Sequence, residues 1–220
     1  MADTDLRDLY AKGLAQQRAG QAKAALQIYN VVLRRGGGDA QLMLRIGECH
    51  EALRDLERAD EAYCNAIARD PDLVAAYRRA ISMAERARAL ALKVGQAEAA
   101  EALRHGAAGH HAALGVRFIA KGAFRDAEAE FRAAIALAPE EWAPKVDLGL
   151  CLYEQGRLEA AEQTIRAGLS LAPEAALAHF HLGQLRARQD RREEARAAFR
   201  RALELDPALA LAHAALAGLG

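Results

Sequence analysis

The sequence has little of what usually announces a chemical function. It holds three cysteines, Cys49, Cys64 and Cys151, odd in number, widely spaced and without a C-x-x-C pair. Neither a disulfide framework nor a cysteine zinc site is indicated, and a reducing compartment is expected. There is no glycine-rich phosphate loop, nucleophile elbow or His-Glu-x-x-His motif, so no active site, metal or cofactor is expected. The chain does not open on a basic segment followed by an apolar run, and no stretch approaches about 18 uninterrupted apolar residues, so the expectation is a cytoplasmic protein without a membrane span. Net charge is absent too: 30 basic and 30 acidic residues cancel and are interleaved. No global field therefore draws the protein towards nucleic acid or an anionic surface. Aromatics make up only 5% of a chain that is 52% hydrophobic and rich in alanine, which suits closely packed helices and fits a sheet poorly.

What the chain does have is a repeat. Gly13, Gly47, Gly115, Gly149 and Gly183 follow one another at 34, 68, 34 and 34 residues. Ala25, Ala59, Ala127, Ala161 and Ala195 keep the same phase, each followed four residues later by Tyr29, Tyr63, Phe131, Ile165 and Phe199. Pro71, Pro139, Pro173 and Pro207 close their repeats in register. Each position has an expected physical role. The glycine admits a second helix at close range, where the phased alanine is expected to face it. The bulky residue one helical turn on fills the wedge towards the neighbouring hairpin. Proline cannot continue the second helix but is tolerated at the start of the next.

These residues resemble the tetratricopeptide repeat family, whose period is about 34 residues. The expected fold is all-α, a right-handed superhelical solenoid of about six helix-turn-helix repeats plus a terminal helix. The repeats run over 6–39, 40–73, 74–107, 108–141, 142–175 and 176–209, in sub-blocks 6–73, 74–107 and 108–209, with a partial seventh over 210–220. Leu211, Ala212, Ala215, Leu216 and Leu219 of that remnant form an apolar face able to cap the stack. Because its outer side is not polar, a partner covering it or a chain continuing past Gly220 is equally expected.

Two repeats depart from the pattern. The first has Lys12 where others carry Ile46, Leu114, Leu148 or Leu182, and Gly36-Gly37-Gly38 in place of the proline turn. The third has Ile81 at the glycine position and Lys93 at the alanine position. The preserved period favours two helices there, over about 74–87 and 90–104; the alternative is one helix from 74 to 94 broken at Gly95. This repeat, with Gly106 to Gly109 after it, is the expected place for the array to bend.

At about 100° per residue, repeat positions 4, 7, 8 and 11 face the second helix, while positions 2, 5, 9 and 12 lie roughly 130° away and are expected to face a ligand. In the first three repeats those positions are mixed and largely polar. In the last three they turn apolar, and the expected peptide-binding groove consists of Ala112, Val116, Ile119, Val146, Leu150, Tyr153, Leu177 and Phe180. An apolar strip facing solvent marks an interaction site, and an amphipathic helix laid in a groove is the expected mode. The family's carboxylate-gripping lysine and asparagine pattern is absent, the sixth positions being Ala11, Arg45, Arg79, Ala113, Asp147 and His181.

His179 and His181, two apart on a helix, cannot share a metal. His111, His179 and His213 occupy one repeat position, which favours packing. The basic run from Arg186 to Arg201 is punctuated by Glu193 and Glu194 and is expected to be a salt-bridged face rather than a nucleic-acid site. Three functions fit: an adaptor holding a protein or peptide in the groove of the last three repeats; the N-terminal docking array of a larger enzyme, since bacterial arrays resembling this one often precede glycosyltransferase or sulfotransferase domains; and a self-associating scaffold.

Overall fold

The computed structural model describes residues 2–36 and 38–219, with side chains from residue 5 onward, so Gly37 of the glycine turn lies outside the described residues. Among them the chain is all helix: α1 (Ala2–Arg18), α2 (Ala22–Arg34), α3 (Ala40–Ala52), α4 (Leu56–Arg69), α5 (Val74–Lys93), α6 (Ala97–Ala120), α7 (Phe124–Leu137), α8 (Ala143–Glu154), α9 (Leu158–Leu171), α10 (Ala176–Arg188), α11 (Arg192–Leu205) and α12 (Ala210–Ala217). The fold is a helical-repeat solenoid in which consecutive helices pack as hairpins. It divides into two compact units, Met1–Ala107 and Ala108–Gly220. No helix of the described residues is long and apolar enough to cross a membrane.

The turn inside a regular hairpin falls at the fifteenth residue of the repeat, which takes a left-handed conformation: φ is 76° at Gly20, 61° at Arg54, 69° at Gly122, 77° at Gly156 and 59° at Asp190. That conformation stops the first helix and reverses the chain.

The third repeat does not follow the two-helix path that its length favours. Its fifteenth residue is Arg88, and α5 runs through it without a break as far as Lys93, turning only at Gly95, where φ is 77°. With Ile81 where the others have glycine, no close helix crossing forces an earlier turn. The Ala, Arg and Leu run that follows is strongly helix-forming and continues until glycine permits the reversal. The turn is thereby displaced by seven residues, two helical turns. His105 stands where four other repeats have proline, so nothing ends the following helix, and α6 extends over 24 residues through Gly106 and Gly109.

Inside the regular hairpins the conserved spacing has a different pairing from the expected one. A Cβ added to Gly13, Gly47, Gly115, Gly149 or Gly183 would lie 2.4–2.7 Å from a side-chain carbon of Tyr29, Tyr63, Phe131, Ile165 or Phe199 respectively. The glycine therefore accommodates the bulky residue of its own hairpin, not the phased alanine. Tyr29, Tyr63, Phe131 and Ile165 are fully buried. Within the first unit they join a core that includes Leu42, Met43, Ile46 and Met83. In the second, one core gathers Phe131, Leu148, Leu152, Ile165 and Leu185, and another Phe180, Phe199 and Ala202. Ala212 is buried in the latter, with Ala215, Leu216 and Leu219 packed on it, so α12 covers this core; Leu211 points away and is 59% exposed.

Two side-chain devices recur at the repeat period. At the fourth position, His179 and His213 donate Nε2–H to the carbonyls of Pro173 and Pro207, each at 2.9 Å, and Lys145 donates Nζ–H to that of Pro139. His111, at the same position, instead pairs with Glu130 at 2.6 Å. Between repeats, a glutamate on the second helix clasps an arginine of the next repeat: Arg157 lies 2.8 Å from Glu128, and Arg191 lies 3.0 Å from Glu162. Burial pushes the Glu128 carboxyl up, but hydrogen bonds from Gln155 and Arg157 and the charges of Arg132 and Arg157 outweigh it and leave the group below the usual glutamate range. All three cysteines are free thiols.

Candidate functional site

The first helices of the repeats build the candidate groove, and the structure rotates its lining by one residue from the expected set. Leu44, Val146 and Phe180, at the fifth position, are 3%, 1% and 4% exposed. They are core residues and not part of a solvent-facing strip. The reason lies on the second helix, where the twenty-seventh position holds Ala66, Gly168 and Ala202. A Cβ on Gly168 would sit 2.6 Å from Val146 Cγ2. The fifth side chain thus fills the space left by a missing or minimal side chain opposite, a signal that spacing on the first helix alone does not carry. Phe180 packs on Phe199, ring centroids 5.7 Å apart.

The open strip uses positions 2, 6, 9 and 13, an i, i+4, i+7, i+11 line on one helix face. Position 12 is its half-buried flank. Of the expected residues, Val116 and Leu177 are exposed, while Ala112, Ile119, Leu150 and Tyr153 are half-buried. Ile119 and Tyr153 lean on the core of the second unit. Arg188, not among the expected residues, stacks its guanidinium over the Tyr153 ring, 4.7 Å from the centroid, and donates Nη1–H to the Tyr153 carbonyl at 2.8 Å. With Gln184, Phe199, Ala215 and Leu219, these two line a cleft of about 430 Å³ between α10 and α12.

The same strip in the first unit is chemically closed. Glu48 and Glu51, their side chains only 14% exposed, face three arginines. Arg45 Nη1 lies 2.8 Å from Glu48 Oε2, Arg79 Nη2 lies 3.3 Å from Glu48 Oε1, and Arg86 pairs with Glu51. Gln17 Nε2 donates to Glu48 at 2.8 Å, and the Tyr29 and Tyr63 hydroxyls donate to Gln17 and Glu51, each at 2.8 Å. Burial, with the Glu51 hydrogen bond second, raises the Tyr63 phenol far above its usual range. Glu48, Glu51, Arg79 and Arg86, with Gln17, line a cleft of about 410 Å³.

In the second unit the equivalent sixth and ninth positions are Ala113 and Val116, Asp147 and Leu150, and His181 and Gln184. His181 Nδ1 lies 2.9 Å from Gln184 Oε1, and burial lowers the ring's pKa, which keeps it neutral. Burial alone pushes the Asp147 carboxyl up to about 6. Much of the basic run is paired off: Arg191 with Glu194 at 2.6 Å, Arg196 with Glu193 at 3.0 Å and Arg201 with Glu204 at 2.9 Å.

Comparison with known proteins places these observations in a family. A model described as tetratricopeptide repeat matches residues 10–74 and 112–173, and a second of the same description matches 176–209. The unmatched stretch between the first two segments holds nearly all of α5 and the start and middle of α6, where the turn is displaced. No curated protein matches the sequence. Among solved structures, the chain is similar to the assembly chaperone of RpL4 (Acl4), at 17% identity and a TM-score of 0.54 over 97% of this chain and 95% of that one. It is also similar to the Arabidopsis OM64 TPR domain, at 22% identity and a TM-score of 0.50 over 53% of this chain and 96% of that one. With its repeats in the 34-residue register and the family model matching more than half of its length, this chain belongs to the tetratricopeptide repeat family.

Proposed function

We propose that this protein is an interaction module that holds an amphipathic segment of another protein on the open strip of its second unit. The observation that carries this reading is the contrast between the two units. The strip of the first unit is occupied by its own ion-paired side chains, whereas that of the second offers Val116, Leu150 and Leu177 to a ligand, flanked by Ile119 and Tyr153. Val116 and Leu177 are 37% and 42% exposed and Leu150 is half-buried, so covering them supplies only part of the roughly 1.5–3 kcal/mol that full burial of each would give, and the remaining affinity comes from the segment's polar contacts. A helix presenting apolar residues at i, i+3 or i+4 and i+7 has the matching geometry.

The test is selection of phage-displayed random 16-residue peptides on the full chain, followed by fluorescence anisotropy of the selected peptides on wild type, Val116→Glu and Leu150→Glu. Binding that weakens at least tenfold in both variants is expected. Peptides indifferent to both substitutions, or none at all, refute the reading. Light scattering completes the test: a wild type that self-associates beside a monomeric Leu150→Glu would assign the strip to a second copy of the chain instead.

A further inference from the structure

Asp147 is a half-buried charged residue on the strip of α8, and the strip positions next to it in the repeat register are apolar. In the first unit the sixth position of a first helix reaches the ninth position of its own helix and that of the helix before it: Arg45 and Arg79 meet at Glu48, 2.8 and 3.3 Å away. The same register gives Asp147 the neighbours Leu150 on α8 and Val116, with Ile119 beside it, on the preceding first helix. None bears a counter-charge. His181, at the sixth position one repeat on, is neutral and engaged with Gln184. Asp147 has no ion pair or hydrogen bond to another described side chain, and the only influence on its carboxyl is desolvation. Charges across an interface are arranged so that their potentials are complementary, which makes an unpaired, half-buried carboxylate on the strip a selector of cationic side chains.

We propose that Asp147 reads a lysine or arginine in the bound segment, so that the partner is basic as well as amphipathic. Its apolar side chains cover Val116, Leu150 and Leu177, and one cationic side chain among them closes an ion pair with Asp147. This rests on the groove reading above and narrows it. Two other partner chemistries fit less well: an acidic segment would bring a second carboxylate to an unpaired one, and a purely apolar segment would bury the charge without compensation.

The experiment uses the full chain, the selected 16-residue peptides and Asp147→Asn and Asp147→Lys variants whose helicity and melting are checked first. Peptides selected on wild type should carry a lysine or arginine within their apolar pattern, and those selected on Asp147→Lys should carry aspartate or glutamate there. In a double-mutant cycle, replacing the peptide's basic residue by glutamine should weaken binding to wild type about tenfold and leave binding to Asp147→Asn nearly unchanged. Selected peptides without a basic residue, or an equal loss on both proteins, overturn the proposal. If those same peptides still depend on Leu150, the groove reading survives this failure; if they do not, both readings fall.

Discussion

Asp147 should make the protein less stable than it needs to be, and removing its charge should reveal by how much. The unfolded carboxyl titrates near 3.8 and the folded one near 6. Between those values the folded state retains a proton that the unfolded state has released, so stability falls as pH rises through the window, and the full cost is present above it. Two units of displacement correspond to about 3 kcal/mol. Asp147→Asn removes this term but leaves an amide without a partner, at about 1–2 kcal/mol. We therefore expect the variant to be more stable than wild type by about 1–2 kcal/mol at pH 7.5, and equal or weaker at pH 4, where the wild-type carboxyl is neutral when folded. Urea unfolding followed by circular dichroism at the two pH values measures the difference, and every carboxylate the two proteins share cancels from it. The same stability difference at both pH values, as a solvated carboxylate gives, or a variant weaker than wild type at pH 7.5 but not at pH 4, as a paired carboxylate gives, would refute the reasoning.

Three further predictions concern residues whose roles the structure reassigns or defines. Val146→Glu places a charge in a site that is 1% exposed and should unfold the second unit, whereas Leu150→Glu, half-buried, should cost less than about 2 kcal/mol; thermal melts of both decide whether the fifth position belongs to the core while the ninth stays on the surface. Gly149→Ala drives a methyl to 2.4 Å from Ile165 and should destabilise by about 1–3 kcal/mol. Gly106→Ala, inside α6 with no described neighbour within 4 Å of the added carbon, should stabilise by up to about 1 kcal/mol in the same assay. Glu128→Gln should cost about 1–3 kcal/mol near neutral pH by releasing Arg157 and Arg132. That penalty should shrink as pH falls below the ordinary glutamate range, since the depressed folded pKa contributes stability above it and loses it under acid.

The register of the hairpins was legible in the sequence because glycine, alanine and proline at fixed phase leave few other folds. The path of the third repeat was legible only as the alternative, one helix from 74 to 94 broken at Gly95, since equal length concealed a turn moved by two helical turns. His105 carries a readable signal, standing where four other repeats have proline, whereas Arg88 carries none, since Arg54 turns at the same repeat position. The exposed face of the first helices was legible, but Val146 and Phe180, expected on it, are core. Helical spacing locates the stripe, but whether Val146 enters the core depends on the glycine opposite it on α9, a long-range fact. Asp147 was visible only as one residue of a series; the role proposed for it comes from the absence of a partner among the described side chains, which no single position in a sequence displays.

The clasps Glu128–Arg157 and Glu162–Arg191 tie each repeat of the second unit to the next, and the first unit has no counterpart, with Leu26 and Asp55 at the matching positions. In a linear array, the coupling between neighbours decides whether repeats open singly or together. Amide hydrogens of α7 to α11 should therefore exchange with deuterium at one common free energy of opening, as a single block, while protection in α1 to α4 declines stepwise towards the chain's beginning. The unit that offers the groove would then present it as a surface that opens all at once or not at all.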